Sequence, residues 1–265
     1  MQCGAHDLVT RMETDIDDPR AAWPVRGLAR RFPASDLETL QTLLKQYAHR
    51  LPGVLPHGVD FVLAGGPGDD FYMATNGKGG FWFREVEHQS FNSRRDLFGG
   101  LAKCAKRQPM TRDEEYALES LWHEIWHNRQ TGMDQAAKLP LRHPVRRFAE
   151  TLNQGVARLT YPRFVEHLGG QATHQEWVLN TGYGYAMTVD RLWRVIRECG
   201  LDPKDLVGAL ATINREAELL EGSRYIAKVL AKRSDYPQGR IQAALDAVSM
   251  PDEALFLMLA DAIKS

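Results

Sequence analysis

Ser120-Leu121-Trp122-His123-Glu124-Ile125-Trp126-His127 contains the pattern His-Glu-x-x-His. On a helix, residues four apart share a face, so the imidazoles of His123 and His127 project together. That spacing lets two ring nitrogens reach one Zn²⁺ at about 2.0–2.1 Å. Glu124 points to a neighbouring face, where its carboxylate can take a proton from a metal-bound water. Two histidines do not complete such a site, so the reading turns on whether a helix forms here and on where a third ligand lies.

Working outward, Thr111-Arg112-Asp113-Glu114 is a capping box with Thr111 as N-cap. The helix it opens carries Tyr116, Leu118, Leu121, Trp122 and Ile125, and is expected to run to about Gln130, with Thr131-Gly132 as its stop. Upstream, Asn92 or Ser93 caps a helix over 94–106 that Pro109 ends. Before it, Val59–Ala64, Phe71–Thr75 and Gly80–Arg84 are short apolar or aromatic runs divided by glycine-rich links. They predict a small antiparallel sheet of about three strands. Neither link has the order of a phosphate-binding loop, so both read as turns.

Ser35-Asp36-Leu37-Glu38 predicts a helix capped by Ser35 and running to about Arg50. Residues 1–34 are polar and proline-bearing, a lead-in with a short helix near 25–31. After the motif helix comes a loop over 133–143. Pro144 then opens a helix through Phe148, Leu152, Val156 and Leu159 to about Thr160, and Arg163–Leu168 forms a separate short turn of helix. Residues 173–185 look irregular. Helices are expected over 189–199, 203–220, 223–232, 240–248 and 252–263. The fold class is α+β, divided as 1–57, 58–185 and 186–265, the last a helical subdomain.

Composition narrows the function classes. Of 265 residues, 43% are hydrophobic and 25% charged, which is enough apolar matter for a core. The formal net charge of −1 supplies no global basic field, so the basic clusters Arg94-Arg95, Lys106-Arg107 and Arg146-Arg147 read as solvated faces and nucleic acid is not an expected partner. Three scattered cysteines, Cys3, Cys104 and Cys199, form no Cys-x-x-Cys pair and point to a reducing, cytoplasmic setting. No signal peptide or membrane span is expected.

The third ligand has several candidates. Glu150 lies 23 residues beyond His127 on the following helix, with Asn153 placed to support it. Asp134, His143, His167 and His174 are the rivals. His-Glu-x-x-His followed by a glutamate on the next helix resembles the gluzincin-type zincin metallopeptidases, over roughly residues 58–167. Gln130 and Met133 stand where the metzincin pattern needs Gly and His, so that pattern is absent. The chain departs from zinc-protease helices at Arg129, where they carry an apolar residue. It departs again at Ala149 and Gln154, where the Asn-Glu-x-x-x-Asp version needs Asn and Asp.

The resemblance implies a Zn²⁺ held by His123, His127 and Glu150, with Glu124 as general base in hydrolysis of a peptide or protein. It also implies a donor for the oxyanion, for which Tyr183 between Gly182 and Gly184 is the candidate, ahead of Tyr161, Tyr185 and His174. Gly79–Phe83 is a candidate edge for an extended peptide. Two alternatives stand beside this. One is a catalytically inactive zincin fold with a binding or structural role, for instance in a phage or mobile-element assembly. The other is a different metal-dependent hydrolase; Glu124-x-x-His127 also matches the di-iron Glu-x-x-His pattern, with Glu85-Val86-Glu87-His88 as a second copy.

Overall fold

The computed structural model describes residues 26–265, apart from 70, 132–137, 141, 219–220 and 265. The first 25 residues of the expected lead-in, Cys3 and the rival ligand Asp134 therefore lie outside the described residues. The protein is α+β, and its described residues fall into two compact units. One comprises Asp18–Gln130 with Ala157–Gly182, the other Thr131–Val156 with Tyr183–Ser265.

The first unit begins with a short helix α1 (Leu28–Arg31) and the amphipathic α2 (Leu37–Arg50), which buries Leu40, Leu43, Leu44 and Tyr47. The N-cap of α2 is Asp36 rather than Ser35. The Asp36 side chain accepts from Thr39 N, and the Thr39 hydroxyl accepts from Asp36 N. Thr39 is a better return partner than Glu38 because it stands at the third helical position from that cap.

Strands β1 (Phe61–Ala64), β2 (Met73–Thr75) and β3 (Gly80–Phe83) form a sheet in the order β1-β3-β2. β2 and β3 are an antiparallel hairpin, as expected, but β1 runs parallel to β3, so the sheet is mixed. The cause lies in the link. Asp69 closes a turn onto Gly66 N, and the chain then emerges on the far side of β3, where Arg84 N donates to Tyr72 O while Gly65 N donates to Phe83 O. Gly80 is required at the β1–β3 contact. A Cβ there would stand 2.5 Å from the Phe61 ring, which instead crosses over the glycine and meets Trp82 edge-on at 5.1 Å.

A two-residue ladder, β4 (Glu87–His88) with β5 (Phe91–Asn92), leads into α3 (Ser93–Lys106), capped by Asn92. The second Glu-x-x-His copy thus lies on a loop and a strand, not on a helix. α4 (Arg112–Asn128) follows with the predicted Thr111/Glu114 capping box intact on both sides. Every residue from Asp113 to Asn128 is buried.

The next helix, α5, is continuous over Pro144–Leu168, with Pro162 inside it. The sequence predicts a break at Tyr161-Pro162, since proline removes one helical donor and crowds the carbonyl four residues back. Tertiary contacts outweigh that cost. The Tyr161 hydroxyl donates to Glu115 at 2.8 Å, Thr160 takes two indole N–H groups, and Phe164 stacks on Trp122 at 4.9 Å.

The 173–185 stretch, expected to be irregular, contains α6 (Gln175–Thr181). Its entry is organised by a side chain distant in sequence. The fully buried Glu115 carboxylate accepts from Thr173 N, the Thr173 hydroxyl and His174 N. Its exit is held by Arg158, whose guanidinium donates to Leu179 O and Gly182 O and so satisfies carbonyls that a helix end leaves open.

The second unit holds the first half of α5 with α7 (Ala186–Glu198), α8 (Val207–Glu216), α9 (Gly222–Arg233), α10 (Gln238–Ala247) and α11 (Glu253–Asp261). These match the expected helices to within a few residues. The difference is at 203–220, where Pro203–Leu206 is a 3-10 turn and α8 ends at Glu216. Among the described residues no helix is long and apolar enough to cross a membrane.

Candidate metal centre

The motif helix is buried yet polar along one side. Glu115, Glu119, His123 and His127 succeed one another at intervals of four, and all are at most 5% exposed. Burying polar side chains is tolerable only when they are satisfied. Glu115 is satisfied by α6's entry. Beside the stripe, Tyr116 meets Tyr72 through a hydroxyl–hydroxyl contact, and Tyr72 reaches the Ser120 hydroxyl at 3.1 Å. Burial pushes the Tyr116 hydroxyl up to about 12, aided by the Glu119 charge, so it stays protonated. Burial also lowers the Arg158 guanidinium, against the pull of Glu119.

At the end of this stripe the two histidines converge. Nε2 of His123 and Nε2 of His127 are 3.0 Å apart, and the rings meet edge-on with centroids 4.6 Å apart. Two nitrogens bound to one tetrahedral zinc stand about 3.3 Å apart, so the pair is within a few tenths of an ångström of a chelating geometry. The other nitrogen of His127 is anchored: Nδ1 lies 2.7 Å from the amide oxygen of Gln130. An Nδ1–H donated there leaves the Nε2 lone pair directed at the partner histidine.

Glu124 is buried, and its Oε1 lies 4.0 Å from His123 Nε2. A carboxylate there flanks the nitrogens without displacing either. Glu150, half-buried on α5, completes the group: one ligand atom from each of His123, His127 and Glu150 lies within 4.8 Å of the others. Two imidazole nitrogens and one carboxylate oxygen are a donor set suited to zinc with a fourth position left over.

Among the described residues, none of the rivals for third ligand joins this group. His174 Nε2 bonds the Met110 carbonyl at 3.1 Å, and His167 Nδ1 bonds the Tyr47 hydroxyl at 2.9 Å. The carbonyl of His143 receives Arg147 N at the start of α5, which makes His143 the residue from which that helix begins. Tyr183 is half-buried in the turn before α7.

Arg129, a departure from zinc-protease helices, is the C-cap of α4 and lays its guanidinium 4.2 Å over the Trp126 ring. A cation at a helix C-terminus is electrostatically favourable, and stacking covers the indole as an apolar residue would.

Sequence reasoning missed Gln130 as the partner of His127, treating it only as the residue that breaks another pattern. It also missed the buried stripe. The interval of four from Glu115 through His127 was a legible signal, since such a run on a helix with apolar flanks marks either a solvated edge or an organised interior.

Comparison with protein-family models, with curated proteins and with solved structures returns no match.

Proposed function

We propose that the protein is an intracellular zinc-dependent metallopeptidase of gluzincin-like design. The observation that carries the reading is the convergence of His123, His127 and Glu150 ligand atoms within 4.8 Å. It brings together residues 27 positions apart that belong to one expected ligand set. The preserved capping box and the anchored His127 support it as a stable arrangement.

Held by His123, His127 and Glu150, a zinc ion would supply a water of pKa lowered toward about 7 and a Lewis acid for a carbonyl oxygen. Glu124 then serves as general base: its buried carboxylate, 4.0 Å from His123 Nε2, accepts the proton of the attacking water and passes it to the leaving amine. Gln130 holds the His127 ring in register. Tyr183 is assigned the oxyanion, on the basis of its half-buried place in a glycine-flanked turn.

The test is metal analysis of gently purified protein followed by a peptide-library assay. One zinc per chain is expected, lost on His123→Ala or Glu150→Ala. Glu124→Gln is expected to keep zinc and lose hydrolysis, and Tyr183→Phe to keep zinc and lower kcat. Iron in place of zinc, or metal-free protein, overturns the reading. Zinc without turnover of any peptide selects the alternative of a binding or structural protein on an inactive zincin-like site.

A further inference from the structure

A cavity of about 750 Å³ opens in the first unit where the start of α1, the end of α3 and the end of α5 approach one another. Its rim carries Arg26, Arg107, Gln108 and Glu166, and His167 lines it. Among the described residues neither Arg26 nor Arg107 has a carboxylate within ion-pair distance, and both are exposed. Two unpaired guanidinium groups facing one cavity make a local positive field in a chain that is otherwise nearly neutral.

The second observation is His167. The residue is 9% exposed, and among the described residues its Nε2 has no hydrogen-bond partner. Its Nδ1 contacts the hydroxyl of Tyr47, which is 1% exposed and has no other hydrogen-bond partner among the described residues. A buried phenol must place its proton somewhere, and Nδ1 is the acceptor within reach. That fixes the tautomer: Nδ1 accepts, and Nε2 carries the hydrogen. A buried N–H donor left open is rare and calls for a partner, which the described residues do not supply. Burial holds the ring neutral, lowering its pKa to about 4, so it acts as a neutral donor and not as a third cation.

We propose that this cavity binds a small molecule bearing an oxyanion, a phosphate or a carboxylate, held by Arg26 and Arg107 with His167 Nε2–H as the buried donor. Guanidinium groups match both oxyanions through paired N–H donors. Glu166 at the rim can accept from a hydroxyl or amine on the same ligand. The volume suits a molecule of metabolite size.

The experiment is a titration of the full-length protein with inorganic phosphate and, separately, with succinate, read by calorimetry and by the side-chain N–H resonance of His167 in ¹⁵N-histidine-labelled protein. Saturable binding of at least one probe is expected, with the His167 Nε2–H resonance moving in step. The Arg26→Ala/Arg107→Ala variant alters two exposed side chains and is expected to melt as the wild type does, with binding weakened by about tenfold or more. The two probes distinguish a phosphate from a carboxylate ligand. Repeating the titration on His123→Ala removes any anion held through a bound metal, and binding is expected to persist. No saturable binding by either probe, binding indifferent to the double substitution, or binding lost in His123→Ala each overturns the proposal.

Discussion

The Nδ1 of His127 lies 2.7 Å from Oε1 of Gln130, three residues on and just past the end of the motif helix. The contact joins the histidine to the turn that leaves α4, so the orientation of this candidate ligand depends on how the helix ends. A hydrogen bond to the far nitrogen of a ligating imidazole fixes its tautomer and raises its basicity.

Gln130→Leu keeps the size of the side chain and removes the acceptor. The expected result is a metal affinity lowered by about 10–100-fold with the fold retained. Competition against a chromophoric chelator measures it, and Gln130→Glu is expected to restore most of the loss. Equal affinity in wild type and the leucine variant would show that the contact does not orient the ligand.

Thr160 ties α4 to α5 within the first unit. Its hydroxyl oxygen accepts from Trp122 Nε1 at 2.8 Å and from Trp126 Nε1 at 3.0 Å, and both indoles are nearly fully buried. Thr160→Val conserves shape and strands two buried donors, each costing about 1–3 kcal/mol. A loss of about 2–4 kcal/mol in urea unfolding is expected, largely recovered in Thr160→Ser. Because the Trp122 and Trp126 side chains flank His123 and His127 in sequence, the valine variant is also expected to weaken metal binding.

The motif helix, its capping box, the Asn92 cap and the C-terminal helices were legible because each is fixed by neighbours in sequence: a hydroxyl, amide or carboxylate side chain at the N-cap, apolar residues at 3.6-residue spacing, and glycine or proline at the stop. The parallel pairing of β1 with β3 was not legible. Alternation tells a strand which face is buried but not which strand lies beside it. Pro162 inside α5 and helix α6 were missed for a related reason. Each is held by contacts to α4, through Thr160, Tyr161 and Glu115, that span more than thirty residues and leave no local trace. Glu150 could be proposed from its spacing, but only the folded arrangement sets it apart from His143, His167 and His174.

Stability should depend on pH through His167. Burial, with a smaller contribution from the Arg163 charge, lowers its pKa from 6.5 to about 4 in the folded protein. The unfolded chain therefore binds the proton first as pH falls. The stabilising contribution of the neutral ring is fully present above about pH 6.5 and is lost progressively between about 6.5 and 4. At about 1.4 kcal/mol per unit, the ceiling is of the order of ~3 kcal/mol. Urea midpoints across this window are expected to fall more steeply for wild type than for His167→Gln. Parallel slopes in the two proteins would contradict the assignment.

Glu115 offers the sharpest separation of local from global effects. Its carboxylate is fully buried and accepts from the Tyr161 hydroxyl, Thr173 N, the Thr173 hydroxyl and His174 N. Every one of these partners is a donor, so the site demands an acceptor on both oxygens. Glu115→Gln presents an NH₂ group to donors and leaves at least one of them unsatisfied in the interior. The expected cost is about 3 kcal/mol or more. The backbone donors among them lie at the entry to α6, whose first helical bond runs from Val178 N to His174 O. Amide exchange in α6 is therefore expected to accelerate by more than the global loss of stability explains, while exchange in α2, on the far side of this network in sequence, tracks the global value. Uniform acceleration in both helices would show that Glu115 supports the core as a whole and not the α6 entry in particular.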